Sequence, residues 1–160
     1  SARKDRFIEL CADYKLIHLA THGVLHADPR FSHIVLAPPQ EGNLTVREIL
    51  GLSGHFKLTS LVTLSACETA VESDPETAGL ELITLSNAFK VAGVPTTVAS
   101  LWEIADRSTA LLMQDFYKNL HNRTMDKLEA LRQAQISMLH HPDYSHPYYW
   151  APFILIGDWQ

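Results

Sequence analysis

The sequence has few cysteines, little positive charge and no long apolar run. Its two cysteines, Cys11 and Cys67, are too few for a disulfide scaffold and favour a reducing compartment. The excess of 18 acidic over 13 basic residues argues against binding to a phosphate backbone. No apolar run approaches the roughly 20 residues that a membrane-spanning helix needs. We therefore expect a cytoplasmic protein with no direct nucleic-acid partner and no membrane partner.

Motifs for nucleotide binding and serine hydrolysis are also missing. The sequence contains neither a Gly-x-Gly-x-x-Gly nor a Walker A pattern, and it has no Gly-x-Ser-x-Gly. Histidines stand four apart at His18, His22 and His26, but this spacing aligns metal ligands on a helix, and the first of them lies in a predicted strand. A second, looser cluster comprises His140, His141, Asp143 and His146. We expect no metal and no cofactor.

Length and composition are those of one ordinary globular domain. The chain has 160 residues, of which 46% are hydrophobic and 19% are charged. A chain of this length buries roughly 68–70% of its unfolded surface, so it needs no disulfide or metal to be stable. We predict a single domain over 1–160. Because the chain begins without Met, we expect a C-terminal portion of a larger protein.

Apolar periodicity predicts strands that alternate with helices. We predict buried strands over 15–20, 59–65, 94–101 and 152–156, and a short edge strand over 34–37 in a loop-rich region. Helices are predicted over 3–14, 45–52 and 79–92, with two more that begin at Asp106 or Ser108 and at Thr124. Residues 21–24 are predicted to form a turn. This order indicates an α/β fold whose parallel sheet is covered by helices on both faces.

Two candidate catalytic residues follow two of the predicted strands. His22 and Gly23 come after the strand at 15–20, and Cys67, 45 residues beyond His22, comes after the strand at 59–65. Functional residues of open parallel sheets collect beyond the carboxyl ends of the strands. Neighbouring strands would therefore bring a thiol nucleophile and an imidazole base together. A buried structural cysteine and an ordinary loop histidine are the alternative interpretation.

Four sequence blocks resemble the CHAT domain family, caspase-like peptidase domains often found beside tetratricopeptide repeats. The blocks are His18-Leu-Ala-Thr-His-Gly23, Leu64-Ser-Ala-Cys-Glu-Thr69, Ala99-Ser-Leu-Trp102, and His146-Pro-Tyr-Tyr-Trp-Ala-Pro-Phe153 leading to Gly157-Asp158. Their order and spacing span nearly the whole chain. The resemblance implies a three-layer caspase–hemoglobinase-like sandwich with a mostly parallel central sheet, here without its N-terminal strands.

The resemblance further implies a cysteine endopeptidase, a hydrolase of the thiol protease class. It assigns Cys67 as the nucleophile that forms an acyl-enzyme, and His22 as the group that activates the thiol and protonates the leaving amine. The oxyanion donors map onto the backbone N–H groups of Gly23 and Cys67. The implied partners are a protein or peptide substrate and either a tetratricopeptide-repeat region or an activating partner.

The resemblance also suggests where a substrate side chain would bind. Many relatives read Trp-Pro-Val-Asp-Asp after the third block, and this chain reads Trp102-Glu-Ile-Ala-Asp106. Asp106 is expected to line the pocket for the residue before the cut and to favour Arg or Lys, with Glu68 and Glu103 as further candidates. Helix capping is the alternative role of Asp106. For the whole chain, the alternatives are an inactive or latent interaction module of the same family and a flavodoxin-like ligand-binding domain.

Overall fold

The computed structural model describes residues 3–24, 26, 28–37, 42–65, 75–122 and 125–160. The strands in these ranges are β1 (Leu16–Leu19), β2 (Gly23–Val24), β3 (His33–Val35), β4 (Asn43–Thr45), β5 (Leu61–Leu64), β6 (Thr96–Ser100) and β7 (Phe153–Gly157). The helices are α1 (Lys4–Leu10), α2 (Val46–Gly51), α3 (Pro75–Ala92), α4 (Asp106–His121) and α5 (Lys127–Leu139).

The central sheet has the strand order β1-β5-β6-β7. β1, β5 and β6 are parallel, and β7 pairs with β6 in the antiparallel direction. Leu64 is the register partner of both Leu19 in β1 and Ala99 in β6. The carboxyl ends of three strands, together with the start of β7, therefore lie at one edge. The predicted mostly parallel sheet is confirmed.

Helices cover both faces of this sheet, because side chains of successive strand residues point to opposite sides. On one face Val62, Leu64 and Ala99 pack in a core with Ile49 of α2 and Phe89 of α3. On the other face, Leu61 and Val98 pack in a second core with residues of α4 and α5, among them Phe116 and Leu131. These layers give the three-layer α/β architecture that the sequence predicts.

A small antiparallel sheet, β2-β3-β4, has its middle strand within the predicted loop-rich region and its outer strands on either side of it. Gly23 pairs with Ile34, and His33 pairs with Thr45. The prediction of a turn over 21–24 was therefore wrong, because the backbone of Gly23–Val24 pairs with β3. A strand of two residues is too short to show the alternation that would reveal it in the sequence. The predicted edge strand at 34–37 lies one to two residues earlier, at His33–Val35.

The cap of α2 is the predicted one, whereas the caps of α4 and α5 differ from the prediction. Thr45 caps α2 in the predicted capping box with Glu48. The predicted side-chain cap of α4 was wrong, because Ala105 occupies the N-cap and Asp106 is already the first helical residue. Asp126, not Thr124, caps α5 by accepting from the Glu129 N–H at 2.7 Å. Thr124 lies outside the described residues.

Helix α3 begins at Pro75, four residues before the predicted start. Proline at the first helical position loses no helical hydrogen bond, so the residue that reads as a helix breaker starts the helix. None of the helices in the described ranges is long and apolar enough to cross a membrane.

Candidate active site

A cavity of about 480 Å³ lies at the carboxyl edge of the central sheet. Its walls come from the segments after β1, β5 and β6, from the start of β7, and from the first turns of α4. Six of the lining residues are His22, Ser65, Ser100, Trp102, Asp106 and Phe153. Because functional sites of parallel α/β sheets form at this edge, the cavity is the candidate site.

His22 lines this cavity as an exposed residue three positions after the end of β1. Two hydrogen bonds with Val35 of β3 hold the backbone at Thr21 and His22. The Val35 N–H donates to the His22 carbonyl at 2.8 Å, and the Thr21 hydroxyl donates to the Val35 carbonyl. These bonds hold the His22 backbone without using the imidazole ring.

The predicted nucleophile Cys67 and the predicted pocket residue Glu68 lie outside the described residues. The described part of this segment ends at Ser65, whose N–H donates to the Leu19 carbonyl at 3.2 Å. Leu19 and Leu64 are register partners, and His22 and Cys67 each come three residues after one of them. The parallel pair β1–β5 thus leads into both segments that carry the predicted dyad.

Gly23, the predicted oxyanion donor, is buried at the start of β2. Residues of an antiparallel ladder alternate between hydrogen-bonded and non-hydrogen-bonded pairs. Since Val35 donates to His22, the pair Gly23–Ile34 is of the non-hydrogen-bonded kind. The Gly23 N–H therefore points away from β3 and takes no part in the β2–β3 ladder.

Asp106 lies in the cavity wall at the first turn of α4. The helix dipole favours a carboxylate there, even though this carboxylate does not cap the helix. Ser108, the other predicted cap, donates its hydroxyl to the Ala105 carbonyl at 2.8 Å instead. Glu103 also lines the cavity, so its described wall includes two carboxylate residues from one segment.

An aromatic pair supports this acidic segment. The Trp102 ring stacks on Tyr148, with the ring centroids 6.5 Å apart and an interplanar angle of 27°. The Trp102 Nε1–H donates to the Tyr148 carbonyl at 3.1 Å, and the Tyr148 hydroxyl donates to the Glu103 carbonyl at 2.9 Å. The segment between β6 and α4 is thereby tied to the residues before β7.

The cavity wall contains a hydrogen-bonded histidine that the sequence reasoning missed. His18 Nε2 lies 2.7 Å from Ser65 Oγ, and His18 Nδ1 lies 3.1 Å from the Tyr117 hydroxyl. Desolvation by burial lowers the pKa of His18. The available signal was a polar residue within the apolar run 16–20. Such a residue indicates a hydrogen-bond partner elsewhere in the fold, but it does not identify that partner as Tyr117, which lies 99 residues away.

The histidine clusters noted in the sequence do not form a metal site in the described part of the chain. No group of three or more His, Cys, Asp or Glu side chains suited to hold a metal ion occurs in those ranges. His18 is instead bonded to Ser65 and Tyr117, and the His26 ring accepts from the Asp28 N–H at 3.0 Å.

Comparison with known proteins agrees with the sequence blocks. The chain matches the CHAT domain family over residues 1–158. It is similar to tetratricopeptide repeat protein 28 of Homo sapiens, with 31% identity over 121 residues that cover 76% of this chain and 5% of that protein. The protein of the same name from Mus musculus is 24% identical over 200 residues, which cover 98% of this chain and 8% of the relative. The chain thus spans less than a tenth of either relative, and it belongs to the CHAT domain family.

Proposed function

We propose that this chain is a caspase-like cysteine endopeptidase domain in which Cys67 is the nucleophile and His22 is the general acid–base group. The observation that carries the proposal is the cavity at the carboxyl edge of β1 and β5, lined by His22 and by Ser65 two residues before Cys67. An exposed imidazole beside a cavity can meet both a thiol and a bound peptide. Membership of a caspase-like family supports the same chemistry.

The proposed reaction begins with the Cys67 thiol giving its proton to His22. The thiolate then attacks the scissile carbonyl carbon and forms a tetrahedral oxyanion. As that intermediate collapses, the C–N bond breaks, the imidazolium protonates the departing amine, and a thioester remains on Cys67. Water, deprotonated by His22, hydrolyses the thioester and restores the thiol.

Backbone N–H groups are the proposed stabilisers of the oxyanion. The N–H of Gly23 supports this role because it faces away from the β2–β3 ladder. The second proposed donor is the N–H of Cys67. Fixed backbone donors stabilise developing charge without reorganising, and losing one such donor typically costs about 10²–10³ in kcat.

The acidic wall of the cavity supports a preference for a basic residue before the cut. Asp106 and Glu103 line the cavity, and Trp102 adds an aromatic surface on which the stem of a lysine or arginine can pack. Glu68 is a further proposed pocket residue. The proposed substrate is therefore a protein or peptide with Arg or Lys at this position.

The proposed setting is a domain within a larger protein. The two relatives named for tetratricopeptide repeats extend far beyond the matched region. We propose that a repeat region or another activating partner regulates this domain, which occupies 1–160 as one unit. The cytoplasmic location expected from the composition stays a prediction.

Reaction with iodoacetamide at neutral pH tests the dyad, with the modified cysteine identified by peptide mass spectrometry. We expect rapid modification of Cys67 that is lost in Cys67→Ala and strongly slowed in His22→Ala. Cys11 is an internal reference, because it is buried and burial raises the pKa of its thiol. His55→Ala, which changes an exposed histidine outside the cavity lining, is the matched control.

A peptide library then measures cleavage by the same variants. Cleavage that requires both Cys67 and His22 supports the peptidase. Slow modification that is indifferent to His22 would rule out the proposed dyad. Rapid modification with no peptide cleaved would instead favour the latent interaction module.

A further inference from the structure

A chain of three hydrogen bonds joins two strands and a helix beside the cavity. Ser65 Oγ lies 2.7 Å from His18 Nε2, and His18 Nδ1 lies 3.1 Å from the Tyr117 hydroxyl. Tyr117 in turn donates to Thr63 Oγ1 at 2.9 Å. The His18 and Tyr117 rings also touch, with their centroids 5.5 Å apart. We refer to Ser65, His18, Tyr117 and Thr63 as the relay.

The fold explains why these four residues meet. His18 and Thr63 are register partners in the parallel pair β1–β5, so their side chains lie on the same face of the sheet. Ser65 follows Thr63 by two residues and shares that face. Tyr117 comes from α4, which packs on the same face. All four polar groups thus lie between the sheet and α4.

All three hydrogen bonds can form when His18 is neutral and carries its proton on Nδ1. Because the Tyr117 hydroxyl donates to Thr63, its oxygen accepts from the His18 Nδ1–H. That tautomer leaves Nε2 as the acceptor for the Ser65 hydroxyl. Burial lowers the pKa of His18 and raises the pKa of Tyr117, and both effects favour the neutral relay.

We propose that Tyr117, His18 and Ser65 are positioning residues that fix the chain where it leaves β5 and thereby set the place of Cys67. The inference rests on the proposed function of Cys67. Cys67 is two positions after Ser65, so their Cα atoms are at most about 7 Å apart. We expect a change in the position of Ser65 to change that of Cys67 as well.

Two bonds restrain Ser65 in different ways. Its N–H donates to the Leu19 carbonyl as the last step of the strand ladder, at 3.2 Å. Its hydroxyl is held by the relay, which ties it to α4. Without the relay, Ser65 would keep its backbone bond to Leu19 but lose its tie to α4. Since misplacing a reacting group by about 1 Å can cost 10²-fold in rate, a modest loosening is measurable.

The first test measures how fast iodoacetamide alkylates Cys67 in the full chain. Ser65→Ala removes the hydroxyl, and we expect alkylation to slow about tenfold, the factor that corresponds to one ordinary hydrogen bond. Ser65→Thr keeps a hydroxyl and is expected to recover most of the rate. Ser137→Ala is the matched control, because the Ser137 hydroxyl donates to Asp115 Oδ2 at 2.6 Å outside the cavity lining.

The second test reads the tautomer of His18 by NMR of the chain with ¹⁵N-labelled histidine. We expect a protonated Nδ1 and a bare Nε2 in the wild type. Tyr117→Phe removes the acceptor of the Nδ1–H, so we expect a mixture of tautomers together with slower alkylation of Cys67. A hydrogen bond that only stabilised the fold would lower stability without changing the alkylation rate of folded protein.

Three results would overturn the inference: alkylation of Ser65→Ala at the wild-type rate, alkylation of Tyr117→Phe at the wild-type rate, or covalent labelling of Ser65 by a fluorophosphonate. The last would make Ser65 a nucleophile rather than a positioning residue.

Peptide turnover separates this inference from the proposed function. In Ser65→Ala we expect kcat to fall more than KM rises. If alkylation of Cys67 depends on Ser65 but no peptide is cleaved, only the proposed peptidase function is refuted. If peptides are cleaved equally well with and without the Ser65 hydroxyl, only the proposed positioning role is refuted.

Discussion

The two faces of the central sheet differ near its carboxyl edge. On the side of α2 and α3, the sheet contributes Leu19, Val62, Leu64 and Ala99 to a buried apolar core. On the side of α4 and α5, the corresponding positions carry His18, Thr63, Ser65 and Ser100, beside apolar side chains such as Val98 and, farther from the edge, Leu61. The same strands therefore supply an apolar core on one side and a polar cavity wall on the other.

Both sides bury an apolar core, but only the α4 side also carries polar groups at the carboxyl edge. Burying apolar area stabilises the fold by roughly 25 cal/mol per Å², whereas a buried polar group must find a partner to avoid a penalty. Thr63, which is fully buried, meets that requirement through Tyr117. The two cores together hold the strands in register, and the α4 side uses this register to bring His18, Thr63 and Ser65 together.

The largest expected effect is on the apolar face. Phe89 is fully buried and contacts Phe56 edge to face, with the ring centroids 5.9 Å apart. We expect Phe89→Ala to lower the free energy of unfolding by about 3–5 kcal/mol, measured by urea denaturation. The matched control is Phe31→Ala at a residue that is 59% exposed, which should cost about 1 kcal/mol or less. Similar losses at both positions would contradict the expected contribution of the buried Phe89 ring.

The next-largest expected effect is on substrate preference, through the cavity wall, and it leaves stability almost unchanged. Asp106→Asn keeps the shape of the side chain and removes its charge. We expect the preference for Arg or Lys over neutral residues to fall about tenfold, measured as a ratio of kcat/KM values. Asp143→Asn, at an exposed loop residue outside the cavity lining, should leave the ratio unchanged. A preference for apolar residues in the unmodified protein would refute the proposed role of Asp106.

The start of α2 offers a smaller test on the apolar side. The Thr45 hydroxyl accepts from the Glu48 N–H at 3.2 Å, and the Glu48 carboxylate accepts from the Thr45 N–H at 2.9 Å. We expect Thr45→Ala to lower the free energy of unfolding by about 1 kcal/mol, while Thr45→Ser retains the cap. Peptide cleavage should not change in either variant. A loss of cleavage in folded Thr45→Ala would show that the two sides are coupled.

Features that depend on local sequence patterns were predicted correctly, whereas features that depend on tertiary pairing were not. Strands such as Leu61–Leu64 show an apolar run bounded by turn residues, and the Thr45 capping box is a local pattern, so both were predictable. The family resemblance pointed to His22 and Asp106, and the structure brings both to one cavity. The relay was not predictable, because it depends on the β1–β5 register and on Tyr117. The strand Gly23–Val24 was missed because only its pairing with β3 defines it.

The smallest expected effect is a pH dependence of stability that arises from His18. Burial lowers the pKa of His18 in the folded protein, whereas the unfolded chain has the ordinary value of about 6.5. Above that value both states are neutral, and His18 contributes no pH dependence. As the pH falls below it, the unfolded state binds the proton first, so the free energy of unfolding decreases until the folded state also protonates.

We therefore expect the wild type to lose stability relative to His18→Gln between about pH 7 and pH 5. Urea denaturation of both proteins across this range measures the difference, in which the contributions of the other histidines cancel. Parallel pH profiles would show that His18 is not held neutral on the polar face.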